Sequence, residues 1–409
     1  MERIILHCDL NNFFASVECK ENPNIENKPV AVCGSEENRH GIVLAKNYIA
    51  KQYGIQTGDT CFAARQKCPD IVMVPPNFKS YLKYSQKTRE IYYRFTDMVE
   101  PFGIDECWLD VTGSTLLFGS GEKIANTIKE TVKSELGLMI SAGVSFNKTF
   151  AKLGSDMKKP DAVTVITKEN FREKIYKLSA AEMFGVGRKT NKKLNSVGIY
   201  TIGDIASCSC SYLSNLLGIC GETLWRNVNG LDNSPVMHQD YISIPKSVGN
   251  SVTCRKDLTD PDEVKIALIS LAEEVSKRLR NQKLKASTIQ LLIKDNKLET
   301  KQIQEKVETP IRTTKELVDK SMEMFCSFYK WNRNIRALGI KAVNLVSDDF
   351  CGQLNFFNND RYNGINEIID SRVDGIRSRY GKDSIVRAVM MNNQIMPIIK
   401  NGSIYKDIF

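Results

Sequence analysis

The stretch IILHCDLNNFFASVE, residues 4–18, opens on a compact apolar run and places an acidic side chain, Asp9, at its end. Residues 4–8 are short and apolar enough for a buried strand. Farther along, VEPFGID (99–105) and CWLDVTG (107–113) are two strand-like runs that meet at the acidic pair Asp105-Glu106. Residues 78–95 carry Tyr81, Tyr84, Thr88, Ile91 and Phe95 at spacings of three and four. Residues 119–136 repeat that spacing through Ile124, Ile128, Val132 and Leu136. Both patterns predict amphipathic helices. Residues 30–33 and MISAGVS (139–145) read as further strands. The order over the first 165 residues is βαββαβ, the split pattern of a ferredoxin-like sheet with helices on one face.

In such a sheet the strand ending at Asp9 neighbours the strands meeting at Asp105 and Glu106. Three carboxylates then gather at one strand end, where they repel each other unless a hard cation neutralises them. Oxygen ligands of this kind suit Mg²⁺, with Mn²⁺ as a substitute. Two such ions ~3.5–4 Å apart form the usual clamp for in-line phosphoryl transfer. The plain alternative is that Asp9 and Asp105 are turn residues, a common use of aspartate.

Composition sets the outer limits. At ~100–200 residues per domain, 409 residues make two to four domains. Hydrophobic content of 42% and charged content of 26% belong to an ordinary folded protein, not a disordered or fibrous one. No run approaches the ~18 apolar residues of a membrane helix. The acidic start, with Glu2 and Asp9, is unlike a signal peptide, so a cytoplasmic location is expected. Cysteines scattered singly read as reduced thiols, and the pair Cys208/Cys210 lacks a second pair or a nearby His for zinc. Lys and Arg outnumber Asp and Glu 57 to 48, a net charge of +9. Residues 241–345 hold 20 of the basic and 13 of the acidic side chains, hence +7 of that charge. A located basic excess points to a polyanionic partner.

Residues 9–18 (DLNNFFASVE) resemble the opening motif of the Y-family translesion DNA polymerases, the bacterial polymerase IV and UmuC type. Residues 104–113 (IDECWLDVTG) look like that family's second metal motif. Residues 45–51 (AKNYIAK), and 145–148 (SFNK) through Lys159-Pro160, resemble two more. The resemblance implies an α+β multidomain right-hand polymerase. Its parts are a ferredoxin-like palm (1–10 and 76–165), small fingers (11–75) and a helical thumb with a helix-hairpin-helix (166–232). A linker (233–246), a separate α+β little finger (247–346) and a C-terminal tail (347–409) follow. It also implies that Asp9, Asp105 and Glu106 are catalytic and bind two Mg²⁺ ions, with the backbone carbonyl of Leu10 as a further ligand. Phe14 falls on the steric-gate position that rejects a 2′-hydroxyl, with Phe13 beside it in the nucleotide site. Tyr48, Lys51 and Lys159 fall on triphosphate-holding positions. Two departures stand out. Lys51 replaces the Arg usual in the polymerase IV branch, giving a point charge instead of a two-pronged fork. Gly103 stands where the family commonly has Ser.

Phe184-Gly185-Val186-Gly187-Arg188-Lys189 has the form of a helix-hairpin-helix turn, with a second turn at Gly198. Gly185, Gly187, Arg188 and Lys189 are therefore expected on DNA phosphates. In the basic unit the candidate phosphate contacts are Lys246, Arg255, Lys256, Arg333 and Arg336, each of which also reads as a plain surface charge. QLNFF (353–357) resembles the sliding-clamp-binding peptide of bacterial polymerases. Gln353 would supply polar contacts there, and Leu354, Phe356 and Phe357 the apolar anchors. The bland reading is a tether that packs the tail onto its own domain.

The expected function is low-fidelity, template-directed DNA synthesis on primer–template DNA with dNTPs. It would act in damage tolerance, repair and the SOS response, as a monomer and with no membrane partner. A catalytically weak DNA- and clamp-binding relative, regulating access of other polymerases, would not need all three carboxylates. A nucleotide cyclase shares the carboxylate-bearing sheet but would not need the hairpin or the basic unit.

Overall fold

The computed structural model describes residues 2–37, 39, 41–349, 360–391, 395 and 396. The chain divides into two units, Met1–Cys33 with Val43–Ile242, and Gly34–Ile42 with Ser243–Phe409. The peptide at residues 353–357 lies outside the described residues.

In the first unit the strands are β1 (Ile5–Leu10), β2 (Val30–Cys33), β3 (Val43–Lys46), β4 (Val72–Val74), β5 (Val99–Pro101), β6 (Glu106–Asp110), β7 (Ile140–Ser145) and β8 (Val163–Ile166). Five of them form one sheet in the order β5-β6-β1-β7-β8, and β3-β2-β4 form a small second sheet. The central strand β1 runs antiparallel to both β6 and β7, as the βαββαβ pattern requires. β8 adds parallel to β7, and its four residues are too few to announce themselves by periodicity.

Every residue of β1 is buried, because helices cover both faces of the sheet. Tyr92, from the helix Phe78–Tyr92, lies close to Cys8, and the helix Gly121–Leu136 lies against Val144 on the same face. The helix Lys148–Met157 seals the opposite face. A Cβ on Gly143 would sit 1.9 Å from the Ala151 carbonyl oxygen, so only glycine admits this helix. Asn147 starts that helix by accepting from the Phe150 N–H at 2.8 Å. Residues 171–228 form five helices around a core that includes Phe150, Ile166, Leu194 and Leu213. The stretch read as a linker is tied down at its start. Asp232 accepts from Thr149, Val236 is buried with Ile5 and Trp108, and the Met237 N–H donates to Glu100.

The second unit is a four-stranded sheet, β11-β10-β12-β9, made of β9 (Ser247–Leu258), β10 (Leu284–Asp295), β11 (Thr300–Ile311) and β12 (Ile335–Ser347). The helices Pro261–Asn281 and Thr314–Phe328 pack their apolar sides on one face of it. A third helix, Asp360–Tyr380, follows, held by charged groups. Its buried Asp370 accepts from the Thr314 N–H at 2.7 Å and from Arg280 at 3.1 Å. Arg312 reaches Asp348 and Glu367, each at 2.7 Å, and so fastens the chain on both sides of residues 349–366. Burial pushes the Asp348 carboxyl up, but Arg312 and Lys285 outweigh it and hold the pKa below the usual aspartate value. Among the described residues no helix is long and apolar enough to cross a membrane.

Replacing Gly143 by Ala would force a methyl into the Ala151 carbonyl and push the helix Lys148–Met157 off the sheet. The expected cost is about 3 kcal/mol or more, read as a lower urea midpoint with an unchanged slope. An unchanged midpoint would show that this contact does not constrain the fold.

Candidate active site

The β1–β6 register pairs Asp9 with Glu106 and His7 with Trp108. Side chains alternate along a strand, so His7, Asp9 and Glu106 share the face covered by the helix Lys148–Met157. Asp105 is fixed at the strand end, where its carbonyl accepts from the Leu10 N–H at 3.0 Å. The sheet therefore brings the three expected carboxylates together, with Leu10 among them. Each of the two paired carboxylates has its own lysine. Asp9 accepts from Lys159 Nζ at 2.8 Å, and Glu106 accepts from Lys152 Nζ. His7 Nε2 faces the Glu106 carboxylate at 3.1 Å, while its Nδ1 lies 2.8 Å from Ser155 Oγ.

These contacts set the electrostatics. Burial, reinforced by the negative charges of Asp9 and Glu106, pushes the Asp105 carboxyl up to about 6. Burial also raises Asp9, against the pull of Lys159. For Glu106 burial acts upward too, but His7 and Lys152 outweigh it and bring the pKa down to about 2. Burial depresses His7 below an ordinary imidazole. Lys159 is partly buried, yet Asp9 and Asp156 hold its pKa above that of a free lysine. An all-oxygen donor set carrying mutually repelling carboxylates fits a hard divalent cation. Among the described residues, no three His, Cys, Asp or Glu side chains already form a closed cage. Asp9 and Glu106 are instead turned to their lysines, so metal binding would exchange ammonium contacts for ion contacts.

Beside the carboxylates lies an aromatic stack. The Phe14 ring is parallel to Tyr81 at 4.3 Å, and Phe78 meets Phe14 edge-on at 5.6 Å. Phe14 keeps part of its surface accessible, whereas Phe13 is only 3% exposed. Successive side chains on a helix point ~100° apart, so Phe13 turns into the core against Tyr81. Of the two adjacent rings, Phe14 is the one that keeps surface toward the carboxylates, and the Phe13 side chain packs behind it. Asn11 is a strut, accepting from the Asp161 N–H at 2.9 Å and donating to Ser141 at 3.1 Å. It ties the Lys159 turn to the end of β1.

The helix Tyr48–Gln52 is capped by Asn47, which accepts from the Ala50 N–H at 2.9 Å. Tyr48 is raised first by burial, with Lys159 lowering and Asp9 raising it, which sets its hydroxyl in the field of both groups. Lys51 lies 5.7 Å from the Tyr48 ring. Lys46 is lowered by burial and then by its neighbour Lys51. A basic corner of Lys46, Lys51 and Lys159 thus borders the carboxylates. His7, Lys152, Lys46 and Asn11 were not singled out in the sequence. The available signals were a histidine two residues before Asp9 on the same strand face, and a lysine two helical turns before Lys159.

The expected hairpin is present. Gly185 has φ +89°, Gly187 starts the helix Arg188–Asn195, and Val186, Leu194 and Ile199 are buried beneath. Arg188 and Lys189 are exposed at that helix start. In the second unit Lys246 is exposed, and Arg255 and Arg336 are half-buried. Lys256 is bound to Glu263, and Arg333 to Asp295 at 2.9 Å and Glu299 at 2.8 Å. The last two charges are partly neutralised by their own domain. The uncovered sheet face offers others. Gln290 pairs with Lys341 and Gln304 across the sheet, and a groove of about 820 Å³ runs past Gln290, Gln302, Lys341, Ser251 and Gly249. The alternation TKQIQEKV in β11 was the sequence signal for this face.

The impB/mucB/samB family model matches residues 8–156, and the model of that family's C-terminal domain matches residues 245–356. A DNA polymerase-iota thumb-domain model matches residues 182–232. The chain is 50% identical over 394 residues to DNA polymerase IV of Acetivibrio thermocellus, covering 96% of this chain and 99% of the relative. It is 33% identical to DNA polymerase IV of Clostridium acetobutylicum, covering 96% and 100%. To DNA polymerase IV 2 of Bacillus subtilis it is 34% identical, covering 95% of each chain. The solved structure of a Y-family DNA polymerase chimera superposes with a TM-score of 0.73 at 24% identity, covering 84% of this chain and 99% of that one.

In the metal-free protein Asp105 holds its proton up to about pH 6, against 3.8 for an ordinary aspartate. Between those values the folded state binds more protons than the unfolded state. The stability present below pH ~4 is therefore lost as pH rises through ~6. In chelator at pH 7.5, Asp105→Asn should stabilise the fold by at most about 3 kcal/mol and flatten the pH dependence of the thermal midpoint. A lowered midpoint would show that burial and the neighbouring charges do not disfavour the ionised carboxylate.

Proposed function

We propose a residue-level mechanism for this chain, which belongs to the impB/mucB/samB family and is a DNA-directed DNA polymerase of the Y-family translesion type. The five-stranded sheet serves as palm, the small sheet and its helices as fingers, residues 166–232 as thumb and residues 247–346 as little finger. The observation that carries the mechanism is the junction of β1 and β6, where Asp9, Asp105 and Glu106 meet two lysines.

Two divalent cations, Mg²⁺ with Mn²⁺ as substitute, would be held by Asp9, Asp105, Glu106 and the Leu10 carbonyl. When bound they supply acidification of the primer 3′-hydroxyl and neutralisation of the leaving pyrophosphate. Lys159 neutralises Asp9 in the free protein and turns its ammonium to the triphosphate when a dNTP enters. Tyr48 and Lys51 take the same triphosphate from the fingers side. A lysine grips it as a point charge, so Lys51 holds without the directional fork of an arginine. His7 and Lys152 keep Glu106 ionised and oriented. Phe14 is backed by Tyr81 and cannot yield, so its ring excludes a ribose 2′-hydroxyl.

The substrates are primer–template DNA and dNTPs. Backbone N–H groups at Gly185 and Gly187, with Arg188 and Lys189, hold phosphates without reading bases. The amide- and lysine-bearing face of β9–β12, together with Lys246, Arg255, Lys256, Arg333 and Arg336, holds the duplex in the little finger. A bacterial sliding clamp binds residues 353–357, with Gln353, Leu354, Phe356 and Phe357 as anchors. The support for the clamp is the sequence resemblance alone. The enzyme acts as a cytoplasmic monomer in SOS-linked damage tolerance. Retention of all three carboxylates counts against a catalytically weak, purely DNA- and clamp-binding role.

Primer extension with Mg²⁺ on undamaged and abasic templates tests the core assignment. Asp105→Ala and Glu106→Ala should each lower the rate at least about 1,000-fold (~4 kcal/mol). In the same assay Phe14→Ala should relax discrimination against ribonucleotides by roughly 100-fold. Variants that extend like wild type would remove the corresponding role. Deleting residues 353–357 should abolish stimulation by the clamp and leave clamp-free synthesis unchanged; equal stimulation would rule out that contact.

A further inference from the structure

The helix Asp360–Tyr380 meets its unit with the wrong face for an ordinary amphipathic helix. Glu367, Asp370, Asp374 and Arg377, at spacings of three, four and three, point inward. Glu367 binds Arg312 at 2.7 Å, Asp374 binds Arg280 at 2.6 Å, and Arg377 binds Glu273 at 3.0 Å. Asp370 is only 5% exposed. On the outer side the helix carries Ile365, Ile368, Ile369 and Ile376, with the exposed Arg372 on the same face between Ile369 and Ile376. Ile368 is 62% exposed and Ile365 54%. A surface helix normally buries its apolar stripe and shows its charges. An exposed apolar face interspersed with unpaired arginines marks an interaction surface for a partner that is both apolar and acidic.

The isoleucines border a groove of about 690 Å³ with Ile368, Ile376, Arg372 and Arg379 on its outer side and the ion-paired Arg312 and Glu367 on its inner side. Gly375 faces open space, where a Cβ would meet nothing within 4 Å. Arg372 and Arg379 stand two helical turns apart beside the isoleucines. Among the described residues neither has an ion-pair partner, whereas Arg280, Arg312 and Arg377 on the docked side are all paired. We propose that this face docks a short acidic amphipathic helix of a partner protein, with apolar residues on the isoleucines and carboxylates on Arg372 and Arg379. From Ile365 to Arg379 the surface is roughly 21 Å long at 1.5 Å per residue, which suits about four turns of partner helix. The surface lies wholly in the second unit and does not depend on the polymerase mechanism.

The test uses the full chain and a fluorescein-labelled 16-residue helix with Leu on one face and Glu flanking it. Its controls are a scrambled peptide and the same helix with Lys for Glu. By anisotropy the acidic helix should bind, and the scrambled and lysine forms should bind at least tenfold more weakly. The double variants Ile368→Ser/Ile376→Ser and Arg372→Glu/Arg379→Glu should each weaken binding at least tenfold. All four side chains are at the surface, so unchanged circular dichroism and thermal midpoint are expected. The arginine-to-glutamate variant should gain affinity for the lysine helix. No binding of the acidic helix, or binding unaffected by both variants, overturns the proposal. So does binding seen only after removal of residues 397–409, which would make the chain's own end the occupant. A concentration-dependent dimer abolished by the isoleucine variant would assign the face to a second copy instead.

Discussion

Asp9 and Glu106 face each other across β1 and β6, and neither carboxylate would tolerate its buried place without a cation beside it. Lys152 meets that need from the middle of the helix Lys148–Met157, and Lys159 from the turn just after it. An unpaired buried charge costs several kcal/mol, whereas a paired and hydrogen-bonded one is tolerated. The lysines are therefore part of the fold before they are part of any chemistry. They also keep the site exchangeable, because a cation that neutralises an acid can yield to another that does so better. Among the described residues Asp105 has no lysine paired to it, and its pKa is raised first by burial and then by the charges of Asp9 and Glu106.

That the helix and the turn after it can serve both acids depends on a close approach. Gly143 lets the helix Lys148–Met157 touch the strand, and His7, buried beneath it, lies between Ser155 of the helix and the Glu106 carboxylate of β6. The aromatic group behind Phe14 is similarly shared. Tyr81 stacks on Phe14 and donates its hydroxyl to Glu18, so the ring beside the site is braced from the helix Phe78–Tyr92. Rigid support of this kind makes a steric filter effective, since a ring that could rotate away would exclude nothing.

The second unit uses charge in a different way. Its terminal helix is held by Arg280, Arg312 and Glu273 against Asp374, Glu367 and Arg377, while its isoleucines face outward. Sequence pattern by itself would place those isoleucines inside. The order is inverted because the groups available on the neighbouring helices are arginines and acids, and Asp370 supplies the accepting group for the buried Thr314 N–H.

The strong helical periods at 78–95 and 119–136, the acidic positions and the hairpin glycines were legible in the sequence, because each is a local property of spacing or residue type. β9 and β11 were not, because half-exposed polar strands lack a continuous apolar signal, and β8 was too short. Which of the adjacent aromatics Phe13 and Phe14 faces the core is set by helix phase, which places the Phe13 ring inside. The sequence by itself determined which residue types meet at a strand end and that a basic unit follows them. Only the tertiary structure decided which lysine answers which carboxylate, that His7 lies beside Glu106, and which face of the helix Asp360–Tyr380 is turned outward among the described residues. Those outcomes depend on sheet register and helix phase, which bring together residues far apart in the chain and leave no trace in local spacing.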